Sequence, residues 1–165
     1  MAETKLHGYT VAERLNKMDV DLIDVTLTTT AGTINNDYVV SSGIEIPNAV
    51  SVNGGSAIIQ SILLYNEDDT VESPALEVIF AQQDTVIGTL DAAISIADDD
   101  AIGNILGSTT VTNWSTMKPT DHEFAVKSNI GLVVKAASGS TSIYVHIVNR
   151  SGGDYTPSGT TALTA

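Results

Sequence analysis

Two extended apolar runs, Ser56 to Tyr65 and Ala75 to Ala81, constrain the fold of this chain more than any other feature. In the first, a strict period of two places Ile58, Ile62 and Leu64 on one face with Gln60, and Ala57, Ile59, Leu63 and Tyr65 on the other with Ser61. Both faces are mostly apolar, so the run reads as a strand sandwiched between two layers. In the second, Leu76, Val78 and Phe80 alternate with Ala75, Glu77 and Ile79, and the charge at Glu77 suggests that its outer face meets water or a partner. Asn66, Glu67, Asp68, Asp69, Ser73 and Pro74 between them are turn formers. The expectation is a hairpin at the centre of a β-sandwich.

The flanking sequence continues the same period. Ile23, Val25, Leu27 and Thr29 alternate with Asp24, Thr26 and Thr28, and Tyr38 to Val40 and Ile44 to Ile46 are short extended pieces set off by Gly43 and Pro47. Ile94 and Ile96 look extended, whereas Asp98 followed by Ala101, Ile102, Ile105 and Leu106 has helical spacing, with a cap at Asp98 or Asp99 and a stop at Gly107. Thr109 to Thr112 resumes strand, and Trp114 anchors a loop closed by Pro119. Phe124 to Val126, Ile130 to Ala136 and Thr141 to Val148 are further strands, the last two joined as a hairpin by Ala137 to Ser140. The fold class expected is all-β: a single-domain antiparallel β-sandwich, jelly-roll-like, with one short helical turn near residues 98–106. Strand order is left open between a jelly roll and an immunoglobulin-like sandwich.

A length of 165 residues suits one domain with a real core. Composition divides it into an N-terminal arm over 1–18, a sandwich over 19–150 and a Gly/Ser/Thr-rich tail over 151–165 with a last short strand at Tyr155. Thr10 and Glu13 form a possible capping box for a short helix in the arm, carrying Val11 and Leu15 on one face. Cysteine is absent, which removes disulfides and thiolate chemistry. No apolar run approaches the roughly 18 residues of a membrane span, and the N-terminus lacks a signal-peptide pattern, so the reading is a soluble protein without its own export signal.

The net charge of −13 is unevenly placed. Residues 1–17 carry Lys5, Arg14 and Lys17 against Glu3 and Glu13, whereas residues 18–117 carry 15 acids and no lysine or arginine. Such a body repels phosphate backbones, so no nucleic-acid partner is expected. The acidity serves solubility, or else complements a positive surface on a partner.

Catalytic signatures are thin. Ser115-Thr116-Met117-Lys118 satisfies S-x-x-K without its companion elements. Asp98-Asp99-Asp100 and Glu67-Asp68-Asp69 could offer oxygen ligands to calcium but lack the alternation of an EF-hand, and a helix start and a solvated turn explain them better. His7, His122 and His146 are isolated from one another; His122 lies between acids in an expected solvated loop, and His146 reads as a hydrogen-bonded strand residue. The reading is a protein without enzymatic activity, cofactor or metal.

From about Asp24 to Tyr155 the chain resembles a family of small tailed-bacteriophage virion proteins, most similar to capsid cement or decoration proteins. The resemblance is carried by Ala57-Ile58-Ile59-Gln60-Ser61 with the acidic turn Asn66-Glu67-Asp68-Asp69, by Leu76-Glu77-Val78-Ile79-Phe80, and by the Leu90 to Gly107 segment. Asn129-Ile130-Gly131-Leu132 and Ser140-Thr141-Ser142-Ile143-Tyr144-Val145 complete it. It implies a non-catalytic protein, made in the host cytoplasm, that binds the major capsid protein on the outer surface of an assembled icosahedral head. Such proteins commonly bind as trimers at threefold positions and staple neighbouring capsomers. The break in composition near Met18 points to the arm as the capsid contact, through Lys5, Leu6, Tyr9, Val11, Leu15 and Lys17. Rival readings are a tail or baseplate component, a carbohydrate-binding host-attachment module, for which the chain's few aromatics give little stacking surface, and a hydrolase on a β-sandwich, whose carboxylate pair cannot be located from sequence. Neither membrane nor nucleic acid is an expected partner.

Overall fold

The computed structural model describes residues 21–67, 72–117, 122–157 and the backbone of 163–164. In chain order the elements are β1 (Val39–Ile46), β2 (Ser56–Asn66), β3 (Leu76–Ala81), α1 (Asp98–Gly103), β4 (Ile105–Val111), β5 (Trp114–Met117), β6 (His122–Lys135), β7 (Ile143–Asn149) and β8 (Leu163–Thr164). They form two antiparallel sheets, ordered β1-β7-β3-β4 and β5-β6-β2-β8. The pairs β1/β7, β2/β6 and β3/β4 are nested in sequence and alternate between sheets, which is the winding of a jelly roll. The all-β sandwich expected from sequence is the fold observed.

The hairpin expected at its centre, and the one expected at Ala137 to Ser140, are not observed. β2 and β3 lie in different sheets, so the connection between them is an arch from sheet to sheet, not a turn back within one sheet. Ala137 to Ser140 likewise carries the chain from β6 to β7 in the opposite sheet. Turn-forming residues mark where a chain changes direction, and a connection of this length spans the roughly 10 Å between sheets as readily as it closes a hairpin. The arch is pinned by Glu123 of β6, whose buried carboxylate accepts hydrogen bonds from the backbone of Glu72 (3.1 Å) and Ser73 (2.9 Å) and from the Ser73 hydroxyl (2.6 Å).

β2 is also not a strand buried on both faces. Its pairing with β6 breaks between Ile59 and Ser61, where the partner runs from Leu132 to Ser128. Asn129 and Gly131 in that gap take left-handed backbone angles, φ 56° and 64°. The break reverses the side-chain alternation: Ala57 and Ile59 pack on the core before it, Ile62 and Leu64 after it, while Ile58 and Leu63 stay about half exposed. The strand covered on both faces is β3. Its inner residues Leu76, Val78 and Phe80 join the main core with Leu64, Val134, Val145 and Ile147. On its outer face Ile79 joins Val39, Val148 and Ile87 in a second cluster, roofed by Ile94, Ile96 and Ile105.

α1 ends at Gly103, and its N-cap is Ala97 with no side-chain cap bond, so neither Asp98 nor Asp99 caps it. Ile102 points to solvent, and Ile105 and Leu106 belong to β4: strand pairing with β3 overrides a helical spacing only two turns long. Gly107 is no helix stop but a strand residue at φ 150°, where an added Cβ would lie 2.8 Å from Leu132 Cδ1. That close approach brings the β4 edge against β6 on this side of the sandwich. Ile23, Val25, Leu27 and Thr29 face inward in alternation as expected, although the segment carries only an isolated bridge at Thr26. Trp114 opens β5, its Nε1–H donating to the Pro74 carbonyl, and the two strands expected from Phe124 onward are one bulged strand, His122–Lys135.

The expected tail from Ser151 begins inside the fold. Tyr155 is fully buried and exchanges two backbone hydrogen bonds with Ile34. Asn149 fixes this corner. Its Nδ2 donates to the carbonyls of Ile34 and Gly153, both at 2.9 Å, and its Oδ1 accepts from the Ser151 backbone at 3.0 Å. Asn149→Ala removes these three hydrogen bonds, each worth about 1 kcal/mol, and is expected to cost about 3 kcal/mol. Urea denaturation measures this, and a loss below about 1 kcal/mol would show that the corner does not depend on the amide.

Candidate functional site

The sheet β5-β6-β2-β8 leaves two of its surfaces unfinished. On its outer face Ile58 stands opposite Val133, and Leu63 opposite Val126, with exposures of 55%, 62%, 53% and 52%. Lys135, two residues on from Val133, is exposed on the same face, and Lys127, also exposed, stands opposite Ile62 with its side chain leaving the sheet on the other face. Among the described residues the only other cation is Arg150, and it is engaged with Asp37 and Glu77 on the opposite sheet. The described strands of this sheet carry no exposed acid, Glu123 being fully buried.

Among the described residues, the second unfinished surface is an edge of β2. One edge pairs with β6; on the other, β8 reaches only Tyr65 and Asn66. Beside the remainder runs a groove of about 710 Å³. Its floor is Val78, Phe80, Val145 and Ile147 of the facing sheet, and its far wall is residues 21–25.

Polar clusters elsewhere are built for structure. Arg150 Nε donates to Glu77 Oε2 at 2.8 Å, and its Nη1 pairs with Asp37. Burial alone would raise the Glu77 carboxyl, but bonds from Ser108 and Arg150 outweigh it and hold it below the ordinary carboxylate value. Burial also works against the Arg150 charge, yet Glu77 and Asp37 hold that guanidinium above its usual value. His146 is fully buried on β7, and its Nδ1 accepts from the Gly43 backbone and the Ser42 hydroxyl, each at 3.0 Å. These bonds select the tautomer with its proton on Nε2.

His122 opens β6 instead of lying in a solvated loop, and its Nδ1 meets the Tyr65 hydroxyl at 2.9 Å. Ser115 is an exposed residue of β5, and Lys118 lies outside the described residues, as does His7. Asp98, Asp99 and Asp100 form the first turn of α1, where Asp100 accepts from Asn104. Asp68 and Asp69 lie outside the described residues. No group of three or more metal-ligating side chains comes together among the described residues, and no described helix is long and apolar enough to cross a membrane. The expected contact residues Lys5, Leu6, Tyr9, Val11, Leu15 and Lys17 all fall outside the described residues.

Comparison with protein-family models, curated proteins and solved structures found no match. The candidate surfaces therefore rest on this chain's own geometry. Sequence reasoning passed over both because it placed β2 between two layers.

Burial pushes the His146 imidazole below its ordinary pKa, and the negative charge of Asp84 only partly offsets this. The unfolded chain then binds a proton that the folded chain resists. Stability is present above the ordinary histidine pKa of about 6.5 and declines as pH falls below it. His146→Asn supplies an acceptor to Gly43 without titrating, so its melting temperature should fall less than the wild type's between pH 7.5 and 5. Parallel slopes in a thermal scan would show that His146 does not carry this pH dependence.

Proposed function

We propose that the protein is a non-catalytic structural component of a tailed-phage virion that binds the outer surface of the assembled head and stabilises contacts between capsomers. It acts as a homotrimer at threefold positions, and the major capsid protein is its partner. The observation that carries this reading is the strip of Ile58, Leu63, Val126 and Val133, which shares its face with Lys135 on strands that carry no exposed acid, in a chain of net charge −13. Burying what remains exposed of each apolar side chain favours a complex by about 1 kcal/mol. Three copies of a modest interface, joined in one trimer, gain avidity on a lattice that repeats the complementary surface. Binding only the assembled, expanded lattice stabilises that state by mass action. The sequence resemblance to cement proteins supports the same reading.

The test is co-sedimentation of the purified protein with emptied, expanded heads of the phage that encodes it, with cryo-electron microscopy of the virion to locate it. Saturable binding with density at threefold positions is the expected outcome. Leu63→Glu and Val126→Glu lie on the outer face and should keep the fold while weakening binding at least about tenfold, the equivalent of 1.4 kcal/mol. Unchanged binding by the double variant would remove the strip from the interface. Signal on the tail alone would overturn the head assignment.

A further inference from the structure

We propose that His146 is an acid-released latch: when its imidazole takes up a second proton, the Ser42–Gly43 bulge of β1 lifts from β7 and the charged ring turns to the Asp84 carboxylate. The proposal is independent of any shell partner.

The latch begins with a break in the ladder. Ser41 stands opposite Ile147 and Ile44 opposite Val145, so two residues of β1, Ser42 and Gly43, face the single residue His146 of β7. A bulge of this kind leaves backbone groups without ladder partners. Here the side chain opposite supplies the missing acceptor. The Gly43 amide donates to His146 Nδ1 at 3.0 Å, and the Ser42 hydroxyl meets the same nitrogen at 3.0 Å. His146 is fully buried, so these bonds form away from water, where leaving a donor unpaired is costly.

A backbone amide can only donate. Nδ1 is therefore the unprotonated nitrogen, and the neutral ring carries its proton on Nε2, which has no protein partner among the described residues. A proton added to Nδ1 would set two N–H groups against each other across the 3.0 Å contact with Gly43. The Ser42 hydroxyl can rotate and accept from the new N–H; the Gly43 amide has no such freedom. The closed bulge thus excludes the charged ring by geometry as well as by burial. Charging the ring requires that Ser42 and Gly43 first move off Nδ1, after which solvent supplies the proton.

Asp84 gives the charged ring a destination. A Cβ on Gly43 would lie 2.8 Å from Asp84 Oδ1, so the carboxylate rests directly on the bulge. Gly43 also holds φ 68°, and only glycine meets both demands without strain. The other charges near the ring are engaged or turned to water. Across β3 the ring faces Ile79, and Glu77 on that strand is paired with Arg150. Glu45 of β1, opposite Tyr144, is exposed, as is Asp91 in the covering segment. The negative charge of Asp84 is the one that favours the imidazolium, and Asp84 is itself exposed, so a ring that reaches it also reaches water.

Amide hydrogen exchange of the full chain, corrected for the intrinsic pH dependence of exchange, tests the latch residue by residue. A histidine freed by opening titrates near 6.5, so the opening constant at Gly43 should rise at least about thirtyfold between pH 7.5 and 5.0. At every pH it should exceed the constant of the core amides of β3 and β6, which open only with the whole fold. A flat profile at Gly43 would overturn the proposal. Equal constants at Gly43 and in the core would also overturn it, because the proton would then enter only on global unfolding. Both outcomes are read on the unmodified chain, so they stand even if a variant fails to fold. His146→Asn keeps an acceptor for Gly43 that does not titrate and should flatten the profile; a rise that persisted would assign it to another group. Asp84→Asn should reduce the rise, and an undiminished rise would overturn the transfer to Asp84.

Discussion

The register break shared by β2 and β6 decides what every other part of the molecule can do. A strand's two faces are fixed by parity, so a run such as Ser56 to Tyr65, apolar at nearly every position, would have to bury both faces or leave half of its apolar residues wet. The break at Ile59/Ser61, taken up on β6 by the left-handed residues Asn129 and Gly131, reverses parity midway. Four residues, Ala57, Ile59, Ile62 and Leu64, thereby meet the core from a strand that would otherwise present only half of them. The price is that Ile58 and Leu63, with Val126 and Val133 across the ladder, stand outside.

That asymmetry separates two sheets with different tasks. The sheet β1-β7-β3-β4 is covered on its outer face by the Ile87 to Ile96 segment, which buries Val39, Ile79 and Val148 in a second cluster. His146, Asn149 and the Arg150 ion pairs lie on or beside β7 and fasten loops to it. This sheet is a rigid platform whose polar groups are mostly committed to internal partners. The sheet β5-β6-β2-β8 has no such roof among the described residues, and it holds both the apolar strip and the free edge.

The fold class was legible because period-two alternation is a local property: a β-branched, apolar residue every second position states that a segment is extended whatever it pairs with. Leu27 and Thr29 were placed on one face by that rule and are buried, whereas Tyr155, read as part of a tail, is buried without any such signal. Pairing was not legible. The acidic turn after Asn66 contains the residues of a hairpin loop, and nothing in them distinguishes a return within a sheet from an arch between sheets; that choice is made by Glu123, more than fifty residues away in sequence. The helical spacing at Ala101 to Leu106 misled for a similar reason, since two turns of propensity cannot compete with the ladder that β3 offers Ile105 to Val111. The candidate surfaces stayed hidden behind the same parity: a sequence cannot show which half of a continuous apolar run faces out until the position of the bulge is known.

Charge gives the exposed strip its meaning. A lone exposed leucine or valine needs no explanation, because much of any protein surface is apolar. Here the strip shares its face with Lys135 on strands that carry no exposed acid, while Arg150 is held by two carboxylates on the other sheet. Two copies of such a molecule repel one another over most of their surface and can approach only where acids are sparse. Apolar side chains also stand exposed elsewhere, Leu22, Val52, Val86 and Ile102 among them, but on this sheet they face one another in cross-strand pairs. A paired apolar face accepts any surface of matching shape and buries several side chains at once, which a lone exposed side chain cannot do.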